Sequence, residues 1–127
     1  MMAQPDESEP ALIVTEEYSD IATVLTVAGD IDMMTAPQMQ GRVDAVLSRR
    51  PSALVIDLSD VAFLGSAGIG VLVQVHNDDR DMSFAVVARG PATSRPLHLL
   101  GLDKLFQIYP SVADAINGMG LAADEVG

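Results

Sequence analysis

Ala53-Leu54-Val55-Ile56-Asp57-Leu58 is a nearly unbroken apolar run of strand length, and it constrains the fold more than any other segment. A strand with apolar residues on both sides needs cover on both faces, which points to a central strand of a sheet flanked by helices. Elements on either side fit that expectation. Leu12, Ile13 and Val14 begin a strand, Ile21 to Ala28 forms a second, and Tyr18-Ser19-Asp20 between them suits a hairpin turn. Thr35-Ala36-Pro37-Gln38 has the T-x-x-Q form of a capping box, and Ala36, Met39, Val43, Val46 and Leu47 follow helical spacing. Arg49 and Arg50 stand where the helix dipole favours cations, and Pro51 stops the turn.

After the central run, Val61 to Leu64 continues the apolar stretch to Gly65-Ser66, and Ala67 to His76 is apolar nearly all round. Its length and a cap at Ser66 favour a buried helix over a strand. Ser83 to Ala88 reads as a strand, Leu97, Leu99 and Leu100 as a helix closed by a left-handed Gly101, and Leu105 to Ile108 as a short last strand. Ser111-Val112-Ala113-Asp114 opens a final helix over Val112, Ala115, Ile116 and Met119. The order β-β-α-β-α-β-α-β-α implies an α/β (α+β sandwich) fold of one mixed sheet of about five strands with about four helices, its later strands parallel. Residues 1–10 are expected to be a disordered lead-in, 11–122 a single domain and 123–127 a flexible tail.

Composition narrows the function. The 127 residues are 49% hydrophobic with a mean hydropathy of +0.29, enough for a core without staples. The formal charge of −11, with only seven Lys and Arg, argues against nucleic acid or an anionic membrane as partner. Without cysteine there is no disulfide or thiolate chemistry, and His76 and His98 lack further ligands at metal spacing, so no metal or other cofactor is expected. A signal-like start and an apolar run of about 20 residues are both missing from the sequence, which suggests a cytoplasmic protein.

The segment 57–70 (DLSDVAFLGSAGIG) carries the candidate site. A serine at a helix start lies beside unpaired backbone N–H groups and the positive end of the dipole, which suits an attached phosphate. Two readings of Ser66 are open on these grounds: an ordinary cap, and a phosphoacceptor. Catalytic readings fare worse. G-x-S-x-G would need glycine where Leu64 stands, no phosphate-binding lysine loop exists, and Gly65, Gly68 and Gly70 are spaced G-x-x-G-x-G rather than as a dinucleotide loop. Asp57 invites comparison with receiver domains, but Glu16-Glu17 precedes a hairpin and Lys104 follows a helix, so Asp57 reads better as an acceptor for loop amides. Asp30 and Asp32 suit docking more than acid/base work, Asp78, Asp79 and Asp81 read as a solvated turn, and Met33-Met34 fits a docking patch or the core equally.

Asp57-Leu58-Ser59 with Val61 and Phe63, then Ser66-x-Gly68-Ile69-Gly70, resembles the signature of STAS-domain anti-sigma-factor antagonists (anti-anti-sigma factors) of bacteria. Gly29-Asp30-Ile31-Asp32, Thr35-Ala36, Gly101-Leu102 and Leu105-Phe106 are similar to further blocks of that family, so the likeness spans roughly residues 11–120. The resemblance implies a non-enzymatic partner switch in transcription regulation. Unphosphorylated, such a protein binds an anti-sigma factor with serine kinase activity and frees a sigma factor; phosphorylation at the position of Ser66 switches it off, and a serine phosphatase resets it. Asp30, Asp32, Thr35, Gly65, Ser66, Ala67 and Gly68 are the implied partner-binding residues. Two departures stand out: Gly65 where the family usually has Asp, and Ala67 where it often has Ser. The alternatives are an unmodified docking subunit of a stress-sensing complex, and a small hydrolase or nucleotide-using enzyme built around the Ser66 loop.

Overall fold

The computed structural model describes residues 12–78 and 81–121. The expected lead-in, the flexible tail and Asp79 of the expected solvated turn lie outside the described residues. One sheet of five strands runs in the order β1-β2-β3-β4-β5. Its strands are β1 (Ile13–Tyr18), β2 (Thr23–Ile31), β3 (Ala53–Leu64), β4 (Ser83–Val87) and β5 (Gln107–Tyr109). The β1–β2 hairpin is antiparallel, and every later pairing is parallel. The connections are α1 (Ala36–Ser48), α2 (Ser66–Asn77) and α3 (Ser94–Leu99), and α4 (Val112–Gly118) closes the described chain.

The apolar run does what its composition requires. Leu54, Ile56 and Leu58 of β3 face a large core with the buried stripe of α1 (Ala36, Met39, Val43, Val46, Leu47) and with Val71, Leu72 and Val75 of α2. Val55 faces the other way, into a smaller core with Ala85, Val87 and Ala115 of α4. Each such side chain contributes roughly 1.5–3 kcal/mol when fully buried, so this one strand fastens both layers.

Several local expectations need correction. The T-x-x-Q capping box does not form: Thr35 flanks α1 without a side-chain cap bond, and the Gln38 side chain accepts instead from the Leu12 N–H at 3.1 Å. The helix ends at Ser48, so Arg49 and Arg50 lie beyond its last turn. Arg49 is drawn away by tertiary partners. Its guanidinium stacks 4.7 Å from the Tyr18 ring centroid and donates to Glu16 at 3.0 Å, while Arg42 donates to Glu16 at 3.2 Å and to the Val14 carbonyl at 2.9 Å. This cluster pins α1 to the edge strand. The Tyr18 hydroxyl, then Arg42 and Arg49, holds Glu16 below the ordinary glutamate range against the upward push of burial.

β5 starts two residues later than expected. A short 3-10 turn at Leu102–Lys104 uses up chain after the left-handed Gly101 (φ +74°), and Phe106 is buried before the strand begins. The Ser111 cap is formed as expected, its hydroxyl accepting from the Asp114 N–H at 3.0 Å.

Candidate functional site

The site is made by how β3 outruns its neighbours. β4 pairs with β3 only as far as Asp57↔Val87, whereas β3 continues beside β2 to Ile31↔Leu64. In that extension β3 carries two extra residues: Thr26 to Ala28 on β2 faces Asp57 to Asp60, and Gly29 to Asp30 faces Val61 to Phe63. Each bulge breaks the two-residue alternation. Leu58, Val61 and Leu64 stay buried while Ser59, Asp60, Ala62 and Phe63 turn outward. Asp57 braces the first bulge, accepting from the Ser59 N–H at 2.9 Å and the Ser59 hydroxyl at 2.6 Å, the structural role expected of it.

At the end of β3 the chain turns into α2. Gly65, in extended conformation (φ −91°, ψ 179°), flanks the helix, so Ser66 is its first residue rather than its cap. The Gly65 N–H donates to the Ile31 carbonyl at 2.8 Å, locking the helix start to the end of β2. Gly68, one turn in, lies against the same residue: a Cβ there would stand 2.4 Å from Ile31 Cγ2 and 2.8 Å from Leu64 Cδ1. Glycine is what allows α2 to approach this closely. Ser66 itself is exposed, and its neighbours in the first turn leave backbone N–H groups without helical acceptors.

The turn after β2 supplies the opposite wall. Asp32 Oδ1 accepts from the Met34 N–H at 2.9 Å and the Thr35 N–H at 3.0 Å. Thr35, fully buried, accepts from the Asp32 N–H at 2.9 Å and donates to the Asp30 carbonyl at 2.6 Å. A T-x-x-Q pattern cannot reveal this, because the threonine side chain is spent on its own turn rather than on the helix.

Of the residues singled out from sequence, Asp32, Gly65, Ser66 and Ala67 line one shallow depression of about 350 Å³, together with Met33 and Phe63. Asp30 stands beside it, paired across the ladder with Phe63. Thr35 and Gly68 are buried, so they hold the walls and do not face the depression. Sequence reading offered Met33-Met34 as a docking patch or core and missed Phe63 as part of an apolar rim. Met33 and Met34 are 80% and 69% exposed, which removes the core alternative for them, and Phe63 is 52% exposed. Its ring lies over Gly65, with Cε2 3.0 Å from where a Cβ would be. A larger open pocket against His76, Phe84 and Phe106 shares no residue with this depression. His98 pairs at 3.5 Å with Asp103, and among the described residues no three His, Asp or Glu side chains are placed to hold a metal. No described helix is long and apolar enough to cross a membrane.

Fold and site together define a class: a single-sheet α/β domain that displays a solvent-facing serine, at the start of an apolar helix, beside an acidic turn. The chain belongs to the STAS-domain family of anti-sigma-factor antagonists, and the STAS domain model matches residues 13–115. It is 40% identical over 119 residues to the anti-sigma-F factor antagonist RsfB of Mycobacterium tuberculosis, covering 93% of this chain and 94% of that protein. An anti-sigma factor antagonist from Mycobacterium paratuberculosis, solved as a crystal structure, superposes with a TM-score of 0.82 at 45% identity, covering 86% of this chain and 94% of that one. The phosphorylated form of the Bacillus cell fate determinant SpoIIAA shares the fold at a TM-score of 0.63 and 14% identity, with 84% and 98% covered.

Proposed function

We propose that the chain is a cytoplasmic anti-sigma factor antagonist, one domain over residues 11–122, whose unphosphorylated Ser66 loop binds an anti-sigma factor with serine kinase activity and so releases a sigma factor. The observation that carries this reading is the exposed Ser66 hydroxyl at the first position of α2, in the same depression as Asp32. The names of the relatives, among them RsfB, support an anti-sigma factor as partner. In the switching step the Ser66 oxygen takes the γ-phosphoryl group of ATP, loses its proton and releases ADP; the partner supplies the catalytic machinery. The phosphate then lies next to free amides of the first turn of α2, which stabilise it in the free protein. Against a partner the same dianion loses hydration, and Asp32 stands close by, so the complex is weakened by several kcal/mol and no refolding is needed. A serine phosphatase restores the hydroxyl. Asp30, Asp32, Gly65, Ser66 and Ala67 form the contact surface, with Thr35 and Gly68 as its supports; neither nucleic acid nor membrane takes part.

A second reading, an unmodified docking subunit, draws on one feature: residue 65 is glycine, so no carboxylate directly precedes Ser66, and the Phe63 ring lies close over that position. Incubation with purified anti-sigma factors and ATP, followed by mass spectrometry, separates the two. A single phosphate on Ser66 is expected. Stable complex formation with no phosphate on Ser66 overturns the switch and leaves the docking subunit.

A further inference from the structure

Beside Ser66 the surface is apolar to a degree that a phosphate site does not require. Met33, Met34 and Phe63 are three of the eight exposed large apolar side chains among the described residues, and they cluster where β2 and β3 end. Met33 and Phe63 share the depression with Ser66 and Asp32, and the exposed Asp30 is paired across the ladder with Phe63. Its walls are fixed: the two bulges aim Phe63 outward, and the buried Thr35 bonds hold the Met33-Met34 turn.

We infer that this depression receives an apolar side chain of the anti-sigma partner, Leu, Ile or Met, flanked on that partner by Lys or Arg facing Asp30 and Asp32. The inference rests on the docking role proposed for the Ser66 loop and names the chemistry of the surface that fits it. Charge complementarity argues for the basic flank, since the one charged residue lining the depression is Asp32, exposed Asp30 stands beside it, and the whole chain has a formal charge of −11. Adaptable methionines and a half-buried aromatic ring argue for the apolar centre, because such side chains are enriched in the water-excluded cores of protein interfaces. The Ser66 phosphate and the incoming apolar side chain then compete for one space. The switch therefore acts by exclusion at the centre of the contact as well as by repulsion at its rim.

The test is a calorimetric titration of the full chain with each purified anti-sigma factor kinase of the same organism, in low and high salt. Met33→Ser with Met34→Ser, both on the surface, is expected to lower affinity at least tenfold while leaving the steepness of the salt dependence unchanged. Phe63→Ser is expected to do the same. Asp30→Asn is expected to flatten the salt dependence with a smaller loss of affinity. Wild-type affinity in both the double-methionine variant and a folded Phe63→Ser variant overturns the inference and leaves the docking role standing. Absence of binding by the wild-type chain overturns the docking role, and this inference with it.

Discussion

Gly68 and Gly70 sit two residues apart in α2, and the same substitution at each has opposite consequences. Alanine in a helix interior is favoured over glycine by about 1 kcal/mol. At Gly70 nothing stands within 4 Å of the new Cβ, so Gly70→Ala realises that gain and stabilises the protein by about 0.5–1 kcal/mol. At Gly68 the new methyl group lies 2.4 Å from Ile31 Cγ2, more than an ångström inside the ordinary carbon–carbon separation of roughly 3.5–4.0 Å. Ile31 cannot swing aside. It is fully buried and β-branched, and its carbonyl holds the Gly65 N–H. Overpacking of this kind costs about 1–3 kcal/mol, and a clash this deep belongs at the upper end, so after the propensity gain Gly68→Ala loses about 1–2 kcal/mol. The two variants then differ by roughly 1.5–3 kcal/mol, or on the order of 10 °C in Tm for a domain of this size. Urea denaturation followed by far-ultraviolet circular dichroism measures the difference directly. Gly68→Ala at or above wild-type stability refutes the claim that close packing of α2 on Ile31 positions the Ser66 loop.

The Asp32 turn and the edge cluster can be probed in the same way. Thr35→Val removes the bonds to Asp30 O and Asp32 N at a fully buried site, and a loss of about 1–3 kcal/mol in urea denaturation is expected; a neutral result shows that Thr35 does not hold the turn. Glu16, bonded to Tyr18, Arg42 and Arg49, has a depressed folded-state pKa, so its contribution to stability is present above its ordinary value of 4.5 and is lost as pH falls through the lower folded value. Glu16→Gln is therefore less stable than wild type at pH 7, by a margin that shrinks as pH drops below about 4.5. A margin constant from pH 3 to 7 removes Glu16 from the account of acid sensitivity.

What the sequence made legible was whatever one element decides within itself. The two-faced run of β3, the buried stripe of α1, the Gly101 cap and the Ser111 cap each depend on a few consecutive residues, and each is present as expected. The capping misreadings have another cause, competing partners outside the helix, near in sequence for Thr35 and distant for Gln38 and Arg49. Thr35 gives its hydroxyl to Asp30 and Asp32, Gln38 turns to Leu12, and Arg49 turns to Glu16 and Tyr18. The Ser66 loop could be placed because glycines and a helix start mark it in the sequence. The Met33-Met34 turn was legible only as one of two alternatives, and Phe63 was not legible at all, because it points outward only through bulges created by pairing β3 with β2, and no local pattern encodes that register.

Phosphorylation of Ser66 as the off signal is tested most directly by titrating one purified anti-sigma factor that binds the unmodified chain with three forms of it: unmodified, Ser66→Ala, and stoichiometrically phosphorylated on Ser66. The account predicts tight, similar binding by the first two and at least a hundredfold weaker binding by the third, matching a penalty of about 3 kcal/mol or more. Equal affinity of the phosphorylated and unmodified forms contradicts it.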